Sequence, residues 1–138
     1  MTLVVLDASA LDALAGGKPN DPARRTVQNA LAAAARTGSE VVVTAAVLSE
    51  LYRGDRRDSA VDSCLGRHNG IRTVDTTRAL ARQVGRVLAR SHRDSRDHVD
   101  ATVVAAAIAG GRSLILTSDQ DDLTTLAAGS PGITVERI

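Results

Sequence analysis

Four acidic residues stand far apart in the chain, each beside an element that could carry it to a common place. Asp7 ends the apolar run Leu3-Val4-Val5-Leu6, and Asp119 closes Ser113-Leu114-Ile115-Leu116-Thr117-Ser118-Asp119. Glu50 lies in the helix expected after a second apolar run, and Asp100 in the first turn of another helix. A carboxylate placed directly after a buried strand is costly without a partner. Two like charges ~4 Å apart repel by about 4 kcal/mol at an effective dielectric of ~20. Acids gathered together therefore hold protons or bind a cation. An all-oxygen donor set, with no cysteine or histidine beside it, selects a hard ion such as Mg²⁺ or Mn²⁺. Such an ion lowers the pKa of a bound water and offsets charge on phosphate oxygens, which suggests phosphoryl chemistry.

Whether the acids meet depends on the elements that hold them. The apolar runs predict strands at Leu3 to Leu6, Glu40 to Thr44, Ile71 to Val74, Ser113 to Thr117 and Ile133 to Glu136. Helices are expected from Ala8 to Ala15, ended by Gly16-Gly17, and from Pro22 to about Arg36 with Asp21 as the cap. Others are expected from Ala45 to Arg53, Asp58 to Leu65, Thr76 to about Ser91, Asp97 to Ala109 and Asp121 to Ala128. Strands alternating with helices predict an α/β fold, a three-layer sandwich around a central five-stranded parallel sheet.

Ligands of such sheets bind beyond the carboxyl ends of the strands. Asp7 and Asp119 fall at two of those ends. The helix carrying Asp100 leads into the fourth strand and must run antiparallel to it, so its first turn lies at the same edge. Glu50 is long enough to reach upward. Each acid also has a plainer explanation: Asp7, Asp97 and Asp119 suit helix caps, Asp100 the positive end of a helix dipole, and Glu50 a solvated helix face. Independent caps need not share one edge, however, so the common edge argues for a site.

Composition narrows the alternatives. The 138 residues suit one domain, 1–138, with a core built from a 43% hydrophobic content in which Tyr52 is the only aromatic residue. No apolar run reaches the length of a membrane span and no basic-then-apolar segment opens the chain. Cys64 is the only cysteine, so no internal disulfide forms, and a cytoplasmic protein without membrane association is expected. Cys64 and His68 share a helical face, but two ligands make no metal site. Gly17-Lys18 is followed by Pro19, which excludes a P-loop, and no G-x-G-x-x-G occurs. Receiver domains and aspartate-nucleophile phosphatases need a lysine late in the chain, whereas Lys18, the only lysine, comes early. Arg78, Arg82, Arg86 and Arg90 recur every fourth residue along one helix face, opposite Leu80, Val84, Val87 and Leu88. That face is either solvated or a stripe for RNA phosphates, extended by Arg93 and Arg96.

With the acids in order, the chain resembles the PIN-domain ribonucleases, and among them the VapC-type toxins of bacterial toxin–antitoxin (VapBC) pairs. The resemblance rests on Val5-Leu6-Asp7-Ala8-Ser9-Ala10, on Val43-Thr44-Ala45-Ala46-Val47-Leu48-Ser49-Glu50-Leu51-Tyr52-Arg53-Gly54, on Val99-Asp100-Ala101 and on Leu116-Thr117-Ser118-Asp119-Gln120-Asp121-Asp122-Leu123. It implies a Mg²⁺- or Mn²⁺-dependent endoribonuclease. Asp7, Glu50, Asp100 and Asp119 match the family's acidic quartet, with Asp7, Asp100 and Asp119 as metal ligands. Ser9 and Thr117 match its hydroxyl positions, and Asp97 and Asp122 are supporting acids. The resemblance also implies a homodimer and a cognate VapB-type antitoxin covering the site. A housekeeping PIN nuclease of RNA maturation or decay, and a non-catalytic α/β interaction module, are the alternative readings.

Overall fold

The strands form where valine and leucine runs can be buried on both sides of a sheet. In a computed structural model, which describes residues 2–138, they are β1 (Leu3–Leu6), β2 (Val41–Thr44), β3 (Ile71–Val74), β4 (Ser113–Thr117) and β5 (Ile133–Arg137). The helices are α1 (Ala8–Gly16), α2 (Pro22–Thr37), α3 (Ala45–Leu51), α4 (Asp55–Arg67), α5 (Arg78–Arg90), α6 (His98–Ala109) and α7 (Gln120–Ala127). All strand pairings are parallel and the order is β3-β2-β1-β4-β5. The central strands β1 and β2 are almost wholly buried, while edge strand β5 alternates half-buried Ile133 and Val135 with exposed Thr134 and Glu136.

The chain moves one way across the sheet from β1 to β3 and the other way to β4 and β5. Right-handed crossovers then place the two sets of helices on opposite faces. Accordingly α1 to α4 pack together as one group and α5 to α7 as another, giving the three layers the sequence predicts. The order reverses between β1 and β4. Their register, Leu3 opposite Ser113 through Leu6 opposite Leu116, brings Asp7 level with Thr117 at the carboxyl edge.

Boundaries differ from expectation where side chains cap helices. Thr77 accepts from Leu80 N at 3.1 Å, so α5 begins at Arg78 rather than Thr76. Gly54, at φ 121°, turns the chain sharply, and α3 ends before it at Leu51 while α4 starts at once at Asp55. Asp58 then accepts from the amides of Arg53 and Gly54, at 2.9 and 3.2 Å, which fixes that turn. The helix the sequence predicts from Asp97 begins one residue later, preceded by a 3₁₀ turn at Ser95–Asp97.

Helix α6 is the central element of its layer. Ala101 to Ala107 are all buried, because the sheet lies on one side and α5 on the other. Its alanines keep both neighbours close. Ala105 is fully buried, so Ala105→Leu should overpack this interface and cost about 1–3 kcal/mol, read as a lower urea midpoint with an unchanged slope.

Candidate metal centre

Asp7 is the one buried carboxylate among the described residues, and its hydrogen bonds account for that. Its Oδ1 accepts from Ser9 Oγ at 2.6 Å and from Ala10 N at 2.9 Å, so it does cap α1. Its Oδ2 accepts from the Thr117 hydroxyl on the neighbouring strand. The two hydroxyls are fixed in turn by the β4–α7 turn: Ser118 N donates to Ser9 Oγ at 2.9 Å and Asp119 N to Thr117 Oγ1 at 2.8 Å. A carboxylate has about four acceptor positions, and these bonds fill three of them, two on Oδ1 and one on Oδ2. One position on Oδ2 remains for another ligand.

Asp97 and Asp119 stand at the N-cap positions of α6 and α7, yet neither side chain makes a capping bond. The capping explanation thus holds for Asp7 and Asp21 and not for these two. Asp100 projects from the first turn of α6, half-buried. Carboxylate oxygens of Asp100, Asp119 and Asp122 all lie within 4.8 Å of one another. Asp122, one helical turn after Asp119, completes this triple where the sequence expectation had Asp7. Asp7 stands beside it, close enough for its charge to act on Asp100.

Burial first, then the charges of Asp7, Asp119, Glu50 and Asp122, push the Asp100 carboxyl up to about 6. Asp119 is raised as well, by loss of water around it and then by Asp122. Glu50 is exposed on the last turn of α3. Three converging oxygens from separate carboxylates, one of which resists ionisation, fit a hard divalent cation.

Arg93 brings positive charge to the outer side of these acids. His92 adopts the left-handed conformation at φ 55°, and Arg93 N donates to Leu88 O at 2.9 Å, which closes the end of α5. This turn aims the Arg93 guanidinium at Asp97, 3.6 Å away, and at Asp122, 3.7 Å away. Arg96 pairs instead with Asp94, while Arg82, Arg86 and Arg90 lie exposed along α5.

Two features escape a reading of the sequence. Thr102 is fully buried within α6 and donates to Val99 O at 2.6 Å. Its hydroxyl proton being so used, the 2.9 Å contact with Thr44 Oγ1 has Thr44 donating, and Thr44 also caps α3 by accepting from Val47 N. This bond ties the helix of Asp100 to the helix of Glu50. A lone hydroxyl inside the run Val99-Asp100-Ala101-Thr102-Val103-Val104 was the available signal. The second is a cleft of about 740 Å³ opening beside Ser9 and Ser118, with Lys18, Asn20 and the Asp12–Arg57 ion pair in its lining. No spacing rule connects those residues.

A cluster of carboxylates, of a chemistry that fits a hard cation, at the switch point of a parallel α/β sheet is thus the class that the fold and site define. The sequence matches the PIN domain family over residues 4–128, and the chain belongs to that family, one of nucleases. VapBC2 of Rickettsia felis, solved bound to a DNA fragment from its promoter, is similar in fold, with a TM-score of 0.71 at 15% identity and 99% of both chains covered. A toxin–antitoxin complex from Klebsiella pneumoniae gives 0.66 at 17% identity, covering 98% of this chain and 99% of that one. VapBC-5 of Mycobacterium tuberculosis gives 0.56 at 20% identity over the whole of both chains. No curated protein matches the sequence significantly.

Two measurements check the electrostatics. Between the ordinary 3.8 and about 6 the folded chain keeps a proton on Asp100 that the unfolded chain has released. That contribution to stability is complete below 3.8 and is lost as the pH rises through about 6. Metal-free Asp100→Asn protein should therefore be more stable than the parent at pH 7 by about 1–2 kcal/mol, allowing for solvent screening at a half-exposed group. In urea titrations the difference should shrink toward zero below about pH 4; a pH-independent difference would contradict the crowding of acids. Thr117→Val strands one Asp7 oxygen and should cost about 1.5–3 kcal/mol, whereas Thr117→Ser should keep most of the parent's stability.

Proposed function

We propose that the chain is a metal-dependent endoribonuclease, the toxin of a VapBC-type toxin–antitoxin pair, built as one PIN domain over residues 1–138. The observation that carries this reading is the convergence of Asp100, Asp119 and Asp122 beside buried Asp7 at the β1–β4 switch point. The three similar folds described above come from toxin–antitoxin systems and support the toxin assignment.

Asp7, Asp100 and Asp119 would hold Mg²⁺ or Mn²⁺, with Asp122 completing the oxygen donors. When bound, the ion supplies a water of lowered pKa and offsets charge on the phosphate oxygens of RNA. Glu50, whose charge acts on Asp100 from α3, would orient the attacking water. Ser9 and Thr117 hold Asp7 in one rotamer, leaving its free Oδ2 position for the ion. Arg93 keeps Asp97 and Asp122 partly neutralised, which lowers the repulsion an incoming phosphate meets. A VapB-type antitoxin would cover the acidic edge, and the toxin would act as a cytoplasmic homodimer.

Purified, antitoxin-free protein incubated with total bacterial RNA should give discrete fragments with Mg²⁺ or Mn²⁺ and none with a chelator. Asp100→Asn should lower the cleavage rate on the order of a thousand-fold or more, the loss of several kcal/mol of charge stabilisation. Cleavage that ignores the metal, or that persists in folded Asp100→Asn protein, would overturn the assignment.

A further inference from the structure

The outward side of α5 carries Arg78, Arg82, Arg86 and Arg90, all exposed, with no acidic residue between them. Among the described residues none of the four makes an ion pair. Arg86 reaches only Gln83 Oε1, at 3.3 Å, and Arg90 only Ser130 Oγ, at 3.2 Å. Elsewhere Arg57, Arg72, Arg93 and Arg96 each have a carboxylate partner. The whole chain carries a net charge of only +1, so four unpaired cations in one row are a local concentration of charge.

Residues four apart rise about 6 Å along a helix, so the row extends about 18 Å, winding gently because each step also turns by about 40°. Its position is fixed by the opposite side, where Leu80, Val84 and Val87 are buried against the α6 layer. Leu80 shares a hollow with Ala106, Ala109 and Gly110 at the far end of α6, so the two helices run antiparallel. At the other end, Arg90 is followed three residues later by Arg93, whose guanidinium lies 3.7 Å from Asp122 of the acidic triple. The C-terminal end of α5 therefore lies near the acidic site, joined to it through Arg93, while Arg90 itself reaches Ser130 at the other end of α7 and the rest of the row leads away.

We infer that this row is a docking track for the phosphate backbone of RNA outside the cleaved bond, an inference that rests on RNA being the substrate. An acidic site repels a polyanion, and counter-charge placed along the approach offsets that repulsion. Guanidinium forks match phosphate oxygens in geometry as well as charge. The contact is with backbone rather than bases, because Tyr52 is the only aromatic residue and its hydroxyl is held by Asp62 at 2.6 Å. An evenly spaced row fits an evenly charged polymer better than an acidic polypeptide with irregular charge.

The test uses metal-free Asp100→Asn protein, so that binding is read without cleavage, and a fluorescent RNA oligonucleotide titrated at several salt concentrations. Replacing both Arg82 and Arg86 with Ala should lower the slope of log K against log salt by about 1.4–1.8, the share of two phosphate contacts. Replacing Arg25 and Arg36, exposed on α2, should leave the slope as it was. An unchanged slope in the Arg82/Arg86 variant overturns the track, as does an equal fall in both variants, which would reflect net charge alone. Loss of binding to poly-glutamate with RNA binding intact would reassign the row to an acidic protein and also overturn it. Failure of the parent protein to cleave any RNA would defeat the nuclease reading without altering the slope.

Discussion

The buried Asp7 carboxylate is the constraint from which the rest of the site follows. A charge taken out of water costs several kcal/mol unless it is bonded on most of its acceptor positions. Here the bonds come from Ser9 and Ala10 on its own helix and from Thr117 across the β1–β4 seam. Because Ser9 and Thr117 are themselves gripped by the amides of Ser118 and Asp119, satisfying Asp7 also fixes the turn that carries Asp119. One electrostatic requirement thereby joins two strands, a helix start and a second acid. Asp100 is placed by a separate route, the buried Thr44–Thr102 bond between the end of β2 and α6.

The distribution of arginine separates acids that hold the fold together from those that face the site. Asp12, Glu40 and Asp94 each have a guanidinium within 3.1 Å, on or near the surface. Asp97 and Asp122 share Arg93 at longer range. Asp100 and Asp119 have none among the described residues, and their carboxyls are the two raised by burial and by neighbouring acids. A chain with seventeen basic residues has cations to spare for them, so their isolation is a property of where the elements place the arginines.

Much of this was legible in the sequence because the strands are short, unbroken apolar runs and the helices carry their own stops. Asp21 does cap α2 as expected, and Gly110-Gly111 does end α6. The common edge followed from topology alone, since alternation of strand and helix fixes which ends coincide. Distances did not follow. Topology places Asp7, Glu50, Asp100 and Asp119 at one edge, but only packing shows that the close triple contains Asp122 while Asp7 is turned into the seam. Thr102 shows in the sequence only as a lone hydroxyl in an apolar run, and its role in joining two elements is not legible there because its partner lies 58 residues away. Likewise, the sequence put Arg93 and Arg96 in the loop beyond the α5 row, but only the folded turn at His92 shows that Arg93 is directed to the carboxylates of Asp97 and Asp122.

The α5–α6 pair sets the geometry between attraction and repulsion. Its buried seam, Leu80, Val84 and Val87 against an alanine-rich helix, fixes the arginine row and Asp100 relative to one another as parts of one packed unit. Charges of opposite sign on such a unit cannot collapse together: Arg78, Arg82, Arg86 and Arg90 face outward on one helix, while Asp100 faces the sheet edge from the other. Over distances beyond about 8–10 Å, salt screens one group from the other. On the proposed docking, a polyanion lying along α5 would be held by the row, and only the part of it that passes the end of α5 at Arg93 would meet the carboxylates. The same short helical hairpin that buries the core thus keeps the repulsive site and its compensating charge adjacent without letting them neutralise each other.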